Sequence, residues 1–293
     1  MTPDLAEAMA PILEDLGALA VTLQSGGEEA LFDRIDESPT LWRQTRLTAL
    51  FDGECKPGLL LAELGRRLQP RPLPEPTVES LADQDWNRAW MDRFKPLRFG
   101  TRLWVVPSWH VPPDPQAVNL TLDPGMAFGT GTHPTTAMCL RWLDGFDLAG
   151  KTVIDYGCGS GILAIAAIRL GARRAHAVDI DPQCFEVTRA NAERNGVRDP
   201  LIVGFPDTCA ATAADVLLAN ILAGPLIELA PVFAARVRPG GALVLSGLLA
   251  PQAPACLAAY AGSFTMNPPV IDDEWAMIEG RRRQDDAHPL PAL

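Results

Sequence analysis

The chain contains no C-x-x-C pair. Its six cysteines (Cys55, Cys139, Cys158, Cys184, Cys209 and Cys256) are scattered over 293 residues, a pattern that suits reduced, buried thiols better than disulfides or a zinc framework. Histidine is scarce: the nearest neighbours of His133 in sequence are His110 and His176, and no carboxylate pair sits at helical spacing with it, so no metal centre is expected. The first twenty residues lack a basic start and an uninterrupted apolar run, carrying Asp4, Glu7, Glu14 and Asp15 instead. Neither a signal peptide nor a membrane-spanning helix is indicated, and a cytoplasmic protein is expected. Dense basic clusters are lacking too, apart from Arg281, Arg282 and Arg283, while the net charge is −11 and the isoelectric point about 4.8. Direct binding to a nucleic-acid backbone is therefore not expected. Internal repeats and low-complexity tracts are absent from the sequence.

What is present is a globular composition, 47% hydrophobic and 21% charged, long enough for one large or two ordinary domains. Residues 4–16 (DLAEAMAPILEDL) have helical spacing, ALAVTLQS and TRLTALF read as strands, and PGLLLAELGRRL reads as a second helix. TVESL is expected to return as a last strand. Residues 1–68 thus form a small α+β unit, and residues 69–95 a proline-rich linker (QPRPLPEP) with a connecting helix, DWNRAWMDRF, in which Trp86 and Trp90 are packing anchors. From residue 96 to 293 apolar strands alternate with helices: RLWVVPSW, TVIDYG, AHAVDI, ADVLLAN and ALVLSGLL are strands. SGILAIAAIRLG, PQCFEVTRANAERNG and PLIELAPVFAARVRPGG are helices with their stops. Strands apolar throughout argue for a parallel, doubly wound α/β sheet covered on both faces.

In such a sheet a ligand sits beyond the carboxyl ends of the strands. The turn DYGCGSG (155–161) joins the first strand to its helix there, with glycines at 157, 159 and 161. Isoleucine at 162 breaks the G-x-G-x-x-G dinucleotide spacing, which disfavours NAD and FAD. Gly157 and Gly159 would let the backbone approach a ligand closely. Asp179, 22 residues after Gly157 at the end of the next strand, stands where a carboxylate accepts both hydroxyls of a ribose. Asp181, just before Pro182, reads instead as a helix cap. An adenosine-like ligand without a phosphate-specific loop fits S-adenosylmethionine. Asn220 closes ADVLLAN, and its amide oxygen can accept a hydrogen bond from an incoming amine; an asparagine simply turning the chain is the alternative. The remaining loop, GMAFGTGTHPTTAMC (125–139), is glycine- and threonine-rich, but Thr132 and His133 follow Gly131 where a P-loop needs lysine and Ser or Thr.

Taken in order, AFGTGTHPTTAMCLRWL, TVIDYGCGSGILAIAAIRLGA, AVDIDP and ADVLLANILAGPLIELAP resemble the ribosomal protein L-eleven methyltransferases, class I enzymes with a Rossmann-like doubly wound sheet and a small N-terminal domain. The resemblance runs from about Asp85 to Gly280. It implies S-adenosyl-L-methionine as cofactor, with contacts at Thr136, Gly157, Asp179 and Asn220, and ribosomal protein L-eleven as the protein substrate, held by the N-terminal domain. The 125–139 loop would then fold over the cofactor, with Phe128 against the ligand or in the core, and His133 fixing the loop. The family's N-terminal domain runs β-α-β-β-α-β, whereas this sequence opens almost at its first helix: either the first strand is absent or the start lies upstream.

The implied reaction is direct displacement at the sulfonium methyl by an unprotonated lysine ε-amino or N-terminal α-amino group, with Asn220 aligning the amine and no metal or covalent enzyme intermediate. A monomer is expected. Two other classes of function are compatible with parts of the pattern. N-I-L-A is a loose relative of the N-P-P-Y motif of nucleic-acid adenine methyltransferases, against which the acidic charge argues. A cofactor-binding docking protein without catalysis would share the glycine turn.

Overall fold

The structure is a computed structural model that describes residues 1–26, 44–80, 91, 94–123, 131–209 and 213–284. The chain divides into two compact units, Met1–Asp85 and Trp86–Leu293. The division falls inside the stretch read as a linker. Trp86, Trp90 and most of the connecting helix lie outside the described residues, as does Phe128.

The first unit contains helix α1 (Pro3–Asp15), strands β1 (Ala20–Ser25) and β2 (Thr45–Leu50), and helix α2 (Pro57–Leu68). Both helices begin with proline in the first turn, where its missing N–H costs nothing. Ala6, Met9 and Leu13 recur at helical spacing and bury one face of α1, where Met9 and Leu13 meet Leu64 and Leu68 of α2 and Val21, Leu47 and Ala49 of the antiparallel β1–β2 pair. The expected strand at TVESL does not form over residues 77–80. Val78 is exposed there, so residues 77–80 bury no apolar side chain against a neighbour.

The second unit opens with a small sheet in which β3 (Leu97–Phe99) and β4 (Leu103–Val106) are antiparallel and β5 (Val118–Thr121) runs parallel to β4. Helix α3 (Pro134–Gly145) follows, and then the large sheet begins with β6 (Thr152–Tyr156). After β6 come α4 (Ile162–Arg169), β7 (Arg174–Val178), α5 (Gln183–Arg194), β8 (Leu201–Gly204) and β9 (Ala214–Asn220). Two short helices, α6 (Ala223–Glu228) and α7 (Ala230–Arg236), precede β10 (Val237–Leu249) and α8 (Ala253–Tyr260). The chain then adds β11 (Phe264–Met266), β12 (Val270–Asp272) and β13 (Trp275–Arg282).

The strand order is β11-β13-β10-β9-β6-β7-β8, with β12 also on β13. Strands β8, β7, β6, β9 and β10 are mutually parallel, as a sheet of alternating strands and helices requires. Along these strands successive side chains enter two different cores: Val153, Val216, Leu218 and Val244 on one face, Ile154, Leu217, Leu243 and Leu245 on the other. Helices cover both faces, which makes this the doubly wound sheet the sequence implies.

Two sequence readings need correction here. PLIELAPVFAARVRPGG is two helices broken at Leu229, and its last residues already belong to β10. Pro231 lacks an N–H and its ring would press on the carbonyl of Ile227, which favours a break one turn earlier, at Leu229, over a continuous helix. The sheet is also not parallel throughout: β11, β12 and β13 are antiparallel additions at one edge. Only Asp273 and Glu274 separate β12 from β13, and so short a loop can join only antiparallel strands.

Candidate active site

The order of strands reverses around β6, because its successors β7 and β8 lie on one side and β9 and β10 on the other. That reversal opens a crevice at the carboxyl ends. Register fixes what lines it. Tyr156 pairs with Val178 on one side and Ala219 on the other, so Gly157, Asp179 and Asn220 leave the sheet at one level.

Gly157, Gly159 and Gly161 all have positive φ (81°, 52° and 78°). At Gly157 the need is steric as well, since an added Cβ would overlap the Cγ2 atom of Ile221 in the loop after β9. The turn consumes its own donors. The N–H groups of Gly157 and Cys158 both donate to the Val178 carbonyl (2.8 and 3.0 Å), and that of Gly161 to the Cys158 carbonyl (2.7 Å). The Gly159 N–H donates to Asp179 Oδ2 at 3.0 Å. Four donors that a phosphate cradle would aim at its anion are thus bonded to the protein itself, which matches a ligand without pyrophosphate.

Asp179 is half-buried at the end of β7, and its Oδ1 accepts the Asp181 N–H at 3.0 Å. Asp181 in turn accepts the Gln183 N–H at 2.9 Å, the capping role read from sequence. Around the same edge Ile180, Phe205 and Leu222 expose apolar side chains, Ile180 to 81%. A carboxylate for a diol, flanked by apolar side chains for a flat base, fits the adenosine portion of S-adenosylmethionine.

The first turn of α3 closes the other side. His133 is its N-cap: Nδ1 accepts the Thr135 N–H at 3.4 Å and lies 2.7 Å from Thr135 Oγ1, while the ring stands edge-on to Trp275 at 4.7 Å. Burial lowers the His133 pKa, opposed by the nearby Glu274, which keeps the capping lone pair available. The fully buried Ser246, paired in register with Asn220, donates to the Thr135 carbonyl at 3.3 Å. Asn220 Nδ2 donates to Thr136 Oγ1 at 3.1 Å. The structure therefore ties Thr136 to Asn220 and Gly159 to Asp179, and packs Gly157 on the residue after Asn220.

The chain is matched over residues 1–283 by the family model described as ribosomal protein L11 methyltransferase (PrmA). It belongs to that family. Relatives described as ribosomal protein L11 methyltransferase are 53% identical over 286 residues in Pseudomonas aeruginosa and 54% identical over 286 residues in Azotobacter vinelandii, each comparison covering 97% of both chains. A crystal structure of a ribosomal protein L11 methylase from Lactobacillus delbrueckii subsp. bulgaricus superposes with a TM-score of 0.59 at 31% identity, covering 65% of this chain and all of that one. As a ribosomal protein L11 methyltransferase the chain is an S-adenosylmethionine-dependent enzyme with a class I fold.

One polar residue of this methyltransferase site escaped sequence reasoning. Asp155, the first residue of DYGCGSG, is buried; Oδ2 accepts the Ala164 N–H at 3.0 Å, and among the described residues Oδ1 has no hydrogen-bond partner. Burial pushes its pKa up to about 7, with Asp179 adding to the shift. A carboxyl whose folded pKa lies above its unfolded value of 3.8 favours folding while protonated, and that contribution is lost as pH rises from about 4 through about 7. Asp155→Asn should therefore melt at a higher temperature than the parent at pH 8, with the difference vanishing near pH 4; equal pH dependence in both proteins would contradict the assignment. The signal available in the sequence was a lone charge in the otherwise apolar TVIDY.

Of the cysteines, Cys139, Cys158, Cys209 and Cys256 are buried as expected, whereas Cys55 and Cys184 are only half-buried. Cys184 nevertheless remains a thiol at neutral pH, because burial, then Asp179 and Asp181, push its pKa up to about 11.

Proposed function

We propose that this enzyme transfers methyl groups from S-adenosylmethionine to lysine ε-amino and N-terminal α-amino groups of ribosomal protein L11, acting as a cytoplasmic monomer without direct nucleic-acid contact. The bound cofactor supplies an electrophilic methyl group. Thr136, Gly157, Gly159, Asp179 and Asn220 hold it, with Asn220 also aligning the amine. The observation that carries this reading is the Asn220 amide, anchored through Nδ2 at the carboxyl edge, which leaves Oδ1 as a neutral acceptor for an amine N–H. A neutral acceptor is what the chemistry needs. A lysine side chain has a reference pKa near 10.4, so the reacting free amine is a minor species that an anionic partner would convert further to ammonium.

The N-terminal unit is the proposed grip on the substrate. Of the net charge of −11, −9 falls in residues 1–85, which contain sixteen Asp and Glu against seven Lys and Arg. A protein that binds a ribosomal RNA backbone presents basic surface, which such a unit attracts. Leu19, Leu50, Leu59 and Val78 are also exposed on it, offering apolar contact. Among the described residues no helix is long and apolar enough to cross a membrane.

Intact mass of unmethylated ribosomal protein L11 after incubation with the enzyme and S-adenosylmethionine tests the proposal. Gains in units of one methylene are expected; an unchanged mass in the presence of confirmed cofactor binding would overturn it. For the cofactor, Asp179→Ala should weaken binding roughly 10- to 100-fold, the loss of charge-assisted hydrogen bonds worth about 1.5–3 kcal/mol. Titration calorimetry giving the parental affinity would remove Asp179 from the ribose site.

A further inference from the structure

The hydrogen bond from Asn220 Nδ2 to Thr136 Oγ1 joins residues 84 apart in sequence, one in the first turn of α3 and the other at the end of β9. Both ends are held. The His133 cap and the Ser246 hydroxyl fix the first turn of α3, and Ile221, next to Asn220, donates its N–H to the Ser246 carbonyl at 3.2 Å. Thr136 is 3% exposed and β-branched, so its side chain has little freedom to swing away.

A threonine hydroxyl can donate or accept, so by itself it tolerates either orientation of a facing amide. The two orientations are chemically opposite for methyl transfer. With Oδ1 toward the substrate, the amide accepts an amine N–H and leaves the nitrogen lone pair free. With Nδ2 toward the substrate, the amide donates into that lone pair and quenches the nucleophile.

We propose that Thr136 is a positioning residue that couples occupancy of the cofactor site to the orientation of Asn220. Resting on the reading above, in which Thr136 meets the cofactor, its hydroxyl hydrogen is donated to the cofactor carboxylate, a group that only accepts. The Thr136 lone pairs then face Asn220, which must present Nδ2 and turn Oδ1 to the amine. An empty cofactor site releases the constraint. Cofactor and protein substrate therefore bind with positive coupling, equal in both directions.

The test measures the dissociation constant of unmethylated ribosomal protein L11 by calorimetry with and without saturating S-adenosylhomocysteine, which keeps the carboxylate and lacks the transferable methyl. The parent should bind the substrate roughly ten-fold more tightly with the ligand present, within the usual range of allosteric coupling. Thr136→Val, equal in shape but without the hydroxyl, should reduce that ratio to about two-fold or less. Thr136→Ser should restore it, which a purely structural role for the side chain does not require. If the valine variant does not fold, Thr136→Ala supplies the same comparison. Undiminished coupling in the valine or alanine variant overturns the proposal. So does weaker substrate binding with the ligand present, the sign expected if the hydroxyl accepts from the cofactor ammonium instead. Turnover of Asn220→Ala separates the two levels: full turnover there removes the amine-acceptor reading itself, whereas loss of turnover with coupling intact in Thr136→Val removes only the relay.

Discussion

Replacing Asn220 with alanine is expected to lower kcat by about 10²-fold, the scale on which misplacing a reacting group is felt, with a smaller loss in cofactor affinity. The fold should survive. Asn220 is half-buried at the end of a strand, and among the described residues its deletion removes one side-chain hydrogen bond, to Thr136, worth about 0.5–1.5 kcal/mol. The chemistry should suffer more because an amine attacking a methyl group must have its N–H bonds directed away from the reaction axis, and in the proposed function Oδ1 is the acceptor that directs one of them. Asn220→Asp should also be slow near neutral pH, although it is nearly isosteric. Its negative charge stabilises the ammonium form of the substrate and so raises the pH at which free amine appears. Single-turnover rates across pH, taken relative to the parent at each pH, distinguish the two variants: the deficit of Asn220→Asp should shrink as pH rises and that of Asn220→Ala should stay constant. A turnover for Asn220→Ala within about three-fold of the parent would remove the residue from the positioning role.

The second large effect is expected at Gly247, inside β10. Its φ is +86°, and an added Cβ would overlap the Ile221 carbonyl oxygen and lie 2.9 Å from both the Ile221 carbonyl carbon and nitrogen. These are backbone atoms in the loop that follows Asn220, so relief of the clash must move the site. The ladder between β10 and β13 shifts register between Leu245 and Leu248, so the unusual conformation is built into the strand. Gly247→Ala should cost about 2–5 kcal/mol, combining backbone strain with overpacking, and should also reduce the activity of the protein that still folds. Gly240→Ala is the matched control: φ is +75°, but nothing lies within 4 Å of the added carbon. Urea unfolding should show the alanine at 247 to be much the more damaging; equal losses at the two sites would mean that strain alone is being measured.

These two positions also mark what sequence reveals and what it conceals. Helix α2 (Pro57–Leu68) and strand β9 (Ala214–Asn220) coincide with the segments read from sequence, since a proline at the first helical position and an unbroken apolar run are local signals. That Gly157, Gly159, Asp179 and Asn220 share one edge of the sheet is legible for a related reason. Once a parallel sheet is inferred, residues that end its strands must gather at one edge. The bond between Asn220 and Thr136 depends on how α3 lies against β9, and nothing local in either segment encodes that. Likewise, the burial that shifts Asp155 arises from the neighbours folding brings to it. Pro231 did carry a local signal, a helix break, which the apolar periodicity on both sides masked.

The glycine turn has one more consequence, for repeated catalysis. With the N–H groups of Gly157, Cys158, Gly159 and Gly161 all bonded to the chain itself, the loop does not rely on a ligand to keep its shape. Spent S-adenosylhomocysteine can leave and a new methyl donor enter against a turn that keeps its hydrogen bonds in between. For a substrate offering several amines, as proposed above, each of which consumes a fresh donor, successive methylations then meet the same preformed turn, with no rebuilding of that turn between them.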